Sequence, residues 1–261
     1  MFHVRLIKAE GLRRAIVLFF YLAALVVSII LITNGTNVQE ASSGLMVLIL
    51  IPFGLWFEFV RYVYTLGNKE LNILGEPEKC LKHTHFVMKV DFFLHQYEEM
   101  APYQEGLAMM DLNMINDAKT RIRDRLGKRY EKEKQHNFEL NFLLFTIAVA
   151  KKDSTDLKRC HENINKILGA QPRLSADVTT LKNYIEGIYL MQTGEYIKAR
   201  NIFESLDIKA FKNRQLAYYY FYYSIILNNT FAKDKDKAQE MYKKALEIYP
   251  KNEYIKAHPI L

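Results

Sequence analysis

The chain has 261 residues, half of them apolar and 13% aromatic, with 36 basic against 29 acidic residues for a net charge of +7. That apolar content excludes global disorder, and the length accommodates one sizeable domain plus a membrane anchor. Two cysteines, Cys80 and Cys160, are too few for a disulfide framework, and without a CxxC or a Cys/His cluster they exclude a zinc site. They read as small buried apolar residues carrying isolated thiols, which suits a reducing compartment.

In chain order, residues 1–14 are a short basic segment with Arg5, Lys8, Arg13 and Arg14. Ala15 to Ile32 then runs for eighteen residues broken only by Ser28. As a helix it is roughly 27 Å long, close to the hydrocarbon thickness of a bilayer. It is too long for a signal-peptide core, and no small-x-small cleavage site follows it, so a retained span is expected. A second apolar stretch begins at Gly44 and reaches Phe57, with Trp56, Tyr62 and Tyr64 where an interfacial aromatic belt would lie. Pro52 and Gly54 are tolerated in such helices and predict a kink. The sequence therefore predicts a transmembrane hairpin over 15–66, with spans of about 15–32 and 44–64.

Orientation follows from the basic residues. The loop Thr33–Ser43 has no Lys or Arg, whereas Arg61, Lys69, Lys79 and Lys82 follow the second span. This predicts a multi-pass protein of a bacterial-type plasma (inner) membrane with both termini cytoplasmic. Asn34-Gly35-Thr36 matches a glycosylation acceptor but lies at the expected bilayer surface, and is read as a turn. Glu58, near the cytoplasmic end of its span, is expected to pair with Arg61 three residues on.

After Gly67 charged and apolar residues alternate at helical spacing. Punctuation at 75–77, 101–102, 127, 152–154, 169–172, 194 and 228–230 predicts helices over about 78–100, 103–126, 128–151, 154–168, 176–193, 195–206, 212–228, 235–248 and 251–258. The fold class is all-α, with a juxtamembrane helical region at 67–137 followed by helical repeats at 138–261.

Three segments are candidate sites. His83, His85, Asp91, His95, Glu98 and Glu99 include i,i+4 pairs, but no third and fourth metal ligand is nominated, and Phe86, Val90, Phe93, Leu94 and Tyr97 give that helix an ordinary apolar face. No phosphate loop, nucleophile elbow or HExxH is present, so no enzymatic activity and no cofactor are expected. Lys119–Lys134 carries eight basic residues; Arg121, Arg125, Lys128 and Lys132 share one face at helical spacing and suit anionic lipid headgroups or plain solvent. Nucleic-acid binding lacks a recognised fold or an aromatic-basic platform. Tyr218-Tyr219-Tyr220-Phe221-Tyr222-Tyr223 covers every face of a helix, fitting either an inner helix or a tyrosine-rich groove.

Lys198–Leu206 aligns with Lys237–Ala245 at a 39-residue step, with small and aromatic residues recurring. Gly187, Gly194-Glu195-Tyr196, Ala199 and Phe203, and later Ala238, Tyr242, Ala245 and Pro250, stand at the spacing of the tetratricopeptide repeat family, which the chain resembles over about 181–250. The 39-residue step exceeds that family's repeat, with the extra residues at Asn229 to Asp234. The resemblance implies a solenoid of antiparallel helix pairs that binds a protein partner, here in a groove near Tyr184, Tyr189, Tyr219 and Tyr223. The carboxylate clamp of some members is absent, because Tyr184 and Ile188 occupy its positions. The expected function is a membrane-anchored scaffold for a cytoplasmic partner. The alternative is a subunit of a larger membrane complex, for transport or envelope synthesis, whose spans make the key contacts.

Overall fold

The computed structural model describes residues 2–35, 38–92, 95–171, 173, 175–231 and 234–260, apart from the side chains of 2–10 and of Ala210. Thr36, Phe93, Leu94, Pro172 and the side chains of Arg5 and Lys8, all used above, lie outside that description. Every regular element among the described residues is helical, and the chain divides into two compact units, Met1–Tyr62 and Val63–Leu261.

The first unit contains α1 (Phe2–Asn34) and most of α2 (Val38–Lys69). Both are long and apolar enough to cross a membrane. Their contacts run in opposite senses along the two helices, so they pack antiparallel. Gly44 lies so close to α1 that a Cβ there would sit 2.8 Å from the Ser28 carbonyl, and Gly54 meets the Tyr21 ring. Glu58 pairs with Arg13 (Oε2 to Nη2, 3.0 Å) and Tyr62 lies beneath the Arg14 guanidinium. The buried Ser28 hydroxyl donates to the Ala24 carbonyl at 2.7 Å. Leu18, Phe19, Phe20, Leu22, Val26 and Ile30 on α1, and Met46, Ile49, Leu50 and Phe53 on α2, are exposed. The helix continues through Pro52.

In the second unit a π-turn (Glu70–Leu74) leads to α3 (Pro77–Val90), α4 (Met100–Asp111), α5 (Ile115–Leu126), α6 (Tyr130–His136), α7 (Phe138–Lys151), α8 (Ser154–Gly169), α9 (Ala176–Gln192), α10 (Tyr196–Ser205), α11 (Asn213–Thr230), α12 (Lys235–Ile248) and α13 (Glu253–Ala257). Side-chain caps start four of these helices: Asn137, Asp153, Ser175 and Asn252 each accept a backbone N–H three residues on. Neighbours pack as α3/α4, α4/α5, α7/α8, α9/α10 and α11/α12, and α10 also packs on α11. One apolar core runs from Tyr103 on α4 to Ile255 on α13, so the regions 67–137 and 138–261 share it.

The later helices fall within a residue or two of expectation. The earlier ones are more broken. The helix expected over 78–100 stops at Asp91, whose carboxylate takes the Tyr97 N–H at 2.5 Å, and His95 has a φ of +48°. The helix expected over 103–126 divides at 112–114, where Asn113 has a φ of +60°. The one expected over 128–151 divides where Asn137 caps α7.

Candidate functional site

The aromatic run lies on α11, which is an inner helix. Tyr218, Tyr219, Phe221, Tyr222 and Tyr223 are all buried, and Tyr220 is half-buried. This corrects the expected groove. Tyr184, Tyr219 and Tyr223 keep only 4%, 6% and 5% of their surface. They pack around Phe203: its ring stacks on Tyr219 with centroids 5.3 Å apart and meets Tyr184 at 5.7 Å. The Tyr219 hydroxyl faces inward and donates to the Phe203 carbonyl (3.1 Å), whereas that of Tyr223 reaches out to the exposed Glu204 (2.8 Å). Tyr189, half-buried, stacks on His161 at 3.9 Å.

Below this layer lies a charged pair that sequence spacing did not nominate. Asp111, at the end of α4, is fully buried and accepts four hydrogen bonds. Arg214 of α11 donates two (Nε 2.7 Å, Nη2 2.8 Å), and the hydroxyls of Tyr218 and Tyr249 donate one each at 2.8 Å. Burial alone would lower the Arg214 pKa, but the Asp111 charge and hydrogen bonds outweigh it and hold the guanidinium charged. Burial and the Asp111 charge push both phenols up. The partners are separated by 103 to 138 residues, so no local pattern marks them. The carboxylate's acceptor capacity is filled from within, and the network acts as a lock between α4, α11 and the end of α12.

The basic segment is divided over three successive elements. Gly127, with a φ of +49°, ends α5, so Arg121 and Arg125 stand on α5, Lys128 in a 3-10 turn, and Lys132 on α6. All four are exposed, and Arg125 approaches the buried Glu105 at 3.5 Å. The opposite arrangement is the notable one. Lys119 and Arg123 of α5, Lys134 of α6, Lys151 of α7 and Arg159 of α8 line one polar cleft of about 540 Å³ with Asp124, Glu131 and Asp156. Asp156 holds two of the cations, Lys119 Nζ at 2.7 Å and Arg159 Nη2 at 2.9 Å. Partial burial raises the Asp156 pKa, but the Lys119 hydrogen bond and the two charges bring it below the ordinary carboxylate range; Lys119 is raised chiefly by the same bond. The i,i+4 pair Lys119/Arg123 was visible in the sequence, but its meeting with Lys151 and Arg159 depends on the packing of α7 and α8.

The histidine-rich segment forms separate pairs. His83 Nδ1 lies 2.6 Å from Glu70, His85 Nε2 lies 2.6 Å from Glu105, and Arg129 spans Glu98 and Glu99. No group of three or more metal-ligating side chains occurs among the described residues. Cys80 and Cys160 are free and buried, and desolvation pushes the Cys80 thiol up to about 11.

The residues of the repeat resemblance lie at helix contacts. A Cβ on Gly187 would sit 2.6 Å from the Phe203 ring, while Ala199, Phe203, Ala238 and Ala245 are fully buried. Gly194, with a φ of +85°, makes the α9–α10 turn and Tyr196 opens α10 half-buried. The Tyr242 hydroxyl reaches the Ile255 carbonyl at 3.1 Å, and Pro250 follows the end of α12. No family model, curated protein or solved structure matches the chain.

Proposed function

We propose that this chain is a non-enzymatic, membrane-anchored adaptor. Its α1/α2 hairpin spans the plasma membrane with both termini cytoplasmic, and its helical unit is a tetratricopeptide-like stack that binds a cytoplasmic protein partner. The observation that carries the anchoring is the placement of side chains in the first unit. Large aliphatic and aromatic groups face outward, while Ser28, Arg13 and Glu58 are bonded within the hairpin. Lipid is the solvent in which that distribution is favourable. The basic residues at both ends, against none in the connecting loop, support the orientation.

Partner binding is supported by the antiparallel pairs α9/α10 and α11/α12 with small residues at their contacts. Because three of the four expected groove tyrosines are buried, the docking face is reassigned to half-buried Tyr189 and to Ile197, an exposed large apolar residue on α10. Exposed Arg121, Arg125, Lys128 and Lys132 are assigned to anionic lipid headgroups.

Two measurements on the full chain test this. Reporter fusions at the C-terminus should be active only on the cytoplasmic side; activity confined to the outer side overturns the topology. Photo-crosslinkers at positions 189 and 197 in intact cells should yield the same discrete adduct, absent from a position on α12. Should crosslinks instead concentrate in residues 15–64, and replacement of that hairpin by an unrelated one abolish function, the chain is a subunit of a membrane complex.

A further inference from the structure

The cleft between α5, α6, α7 and α8 is lined by more cationic than anionic side chains. Five cations meet there, and three carboxylates accompany them. Asp156 is shared between Lys119 and Arg159, while Glu131 stands 3.6 Å from Lys134. Lys151 reaches only the neutral Asn116 amide oxygen at 2.8 Å, and no described carboxylate lies within ion-pairing distance of Arg123 or Lys151. Arg159 Nε is buried with no hydrogen-bond partner among the described residues. Gathering these charges around one hollow is electrostatically unfavourable until a counter-charge enters.

The chemistry of the donors narrows what that counter-charge is. Guanidinium forks and lysine ammoniums are the groups that engage phosphoryl oxygens. Asp156 holds Lys119 and Arg159 in place beforehand, which reduces the ordering cost of binding. The volume of about 540 Å³ lies within the range of about 300–1,000 Å³ typical of small-molecule sites. We propose that this cleft binds a phosphate-bearing anion with at least two negative charges. A free phosphorylated molecule and a lipid headgroup offer the same chemistry, and the experiment separates them. The inference goes beyond the adaptor reading and rests on the helical unit alone.

The test uses the full chain in detergent. Inorganic pyrophosphate and ATP are titrated calorimetrically, and retention of phosphatidic acid is followed by native mass spectrometry. Saturable binding is expected for at least one probe; pyrophosphate or ATP identifies a free ligand, and phosphatidic acid alone a headgroup. Arg123→Gln and Lys151→Gln should each weaken it about tenfold, the loss of one charge-assisted contact. Neither side chain makes a described ion pair, and unchanged melting of the variants confirms that the fold is kept. Lys235→Gln with Lys243→Gln removes two exposed charges on α12 and should leave the affinity within about twofold. No saturable binding with any of the three probes overturns the proposal. So does binding that survives loss of Arg123 and Lys151, or that falls equally with the α12 pair.

Discussion

In Met1–Tyr62 large apolar side chains such as Phe19, Leu22 and Leu50 face outward, while Arg13 and Glu58 pair between the helices and Ser28 bonds back to its own. In Val63–Leu261 the distribution is reversed: Phe145, Phe203 and Phe221 are buried, and most charges are outside. Both units are helical, so hydrogen bonding of the backbone does not separate them. With the first unit in lipid, as proposed, what separates them is which surface the solvent rewards. The second unit makes several exceptions, with Glu70, Asp91, Glu105 and Asp234 also buried. It buries Asp111 and Arg214 together, and it tolerates them because phenols and guanidinium fill every lone pair of the carboxylate.

The largest effect should come from alkali. Desolvation by burial pushes up Tyr184, Tyr218, Tyr222, Tyr223 and Tyr249, and takes Tyr219 and Tyr254 to about 12. An unfolded phenol releases its proton near pH 10, whereas these folded ones keep theirs. Above that pH the native state binds more protons than the unfolded one, so stability falls as pH rises. Each such phenol removes about 1.4 kcal/mol per pH unit. Against an ordinary stability of about 5–15 kcal/mol, cooperative unfolding is expected between about pH 11 and 12. Near-ultraviolet circular dichroism and tyrosinate absorbance should change together. Ionisation of all 17 tyrosines at about pH 10 with the fold intact would contradict the buried aromatic core.

Next in size is the lock itself. Asp111→Asn leaves the Arg214 charge buried without its counter-ion and should cost about 3–5 kcal/mol in thermal or denaturant unfolding. Replacing both, Asp111→Leu with Arg214→Met, should recover only part of this, because the Tyr218 and Tyr249 hydroxyls lose their acceptor. Full recovery by the double variant would show that the phenols do not depend on Asp111.

The first unit is tested with Leu22→Arg. Leu22 is exposed, so in water the change would be nearly neutral. In a bilayer an arginine near the middle of a span costs about 2.5–3.5 kcal/mol of insertion. Membrane-fraction yield should fall for Leu22→Arg and stay unchanged for Leu22→Ile. Equal yields would remove the contrast between the units.

The sequence carried the two apolar helices and most boundaries after residue 150, because periodicity and capping residues such as Asp153 and Ser175 act locally. It did not carry the breaks at Asp91, Asn113 and Asn137. None has a Gly or Pro: Asp91 is set by a side-chain bond to Tyr97, and Asn113 and Asn137 take left-handed and capping roles that asparagine favours but that leave the helical periodicity around them unbroken. Six adjacent aromatics on α11 left an inner helix and a groove both open, and burial decides for the inner helix. The cleft was half legible: Lys119 and Arg123 share a face of α5, but Lys151 and Arg159 join them only through tertiary packing.

Gly187→Ala probes how closely the second unit is packed. The added methyl would meet the Phe203 ring, which is fully buried under Tyr184 and Tyr219 and has little room to move. Overpacking of this kind costs about 1–3 kcal/mol, partly offset by the better helix propensity of alanine. A net loss of stability is expected; a gain would mean that α9 and α10 are more loosely packed than their contacts imply.

The smallest effect belongs to Asp156, whose partners are half-exposed, so solvent screens their pairing. Asp156→Asn should cost no more than about 1 kcal/mol at neutral pH. The sign of its pH dependence is fixed by the lowered carboxyl pKa. The contribution is present above the unfolded value of about 3.9 and is lost as pH falls through the lower folded value. Wild type and Asp156→Asn should therefore converge in melting temperature under acid and diverge above about pH 4. A difference that persisted into strong acid would mean that the carboxylate stabilises the α5–α8 contact by shape rather than by charge, and the cations of the cleft would then owe their positions to packing.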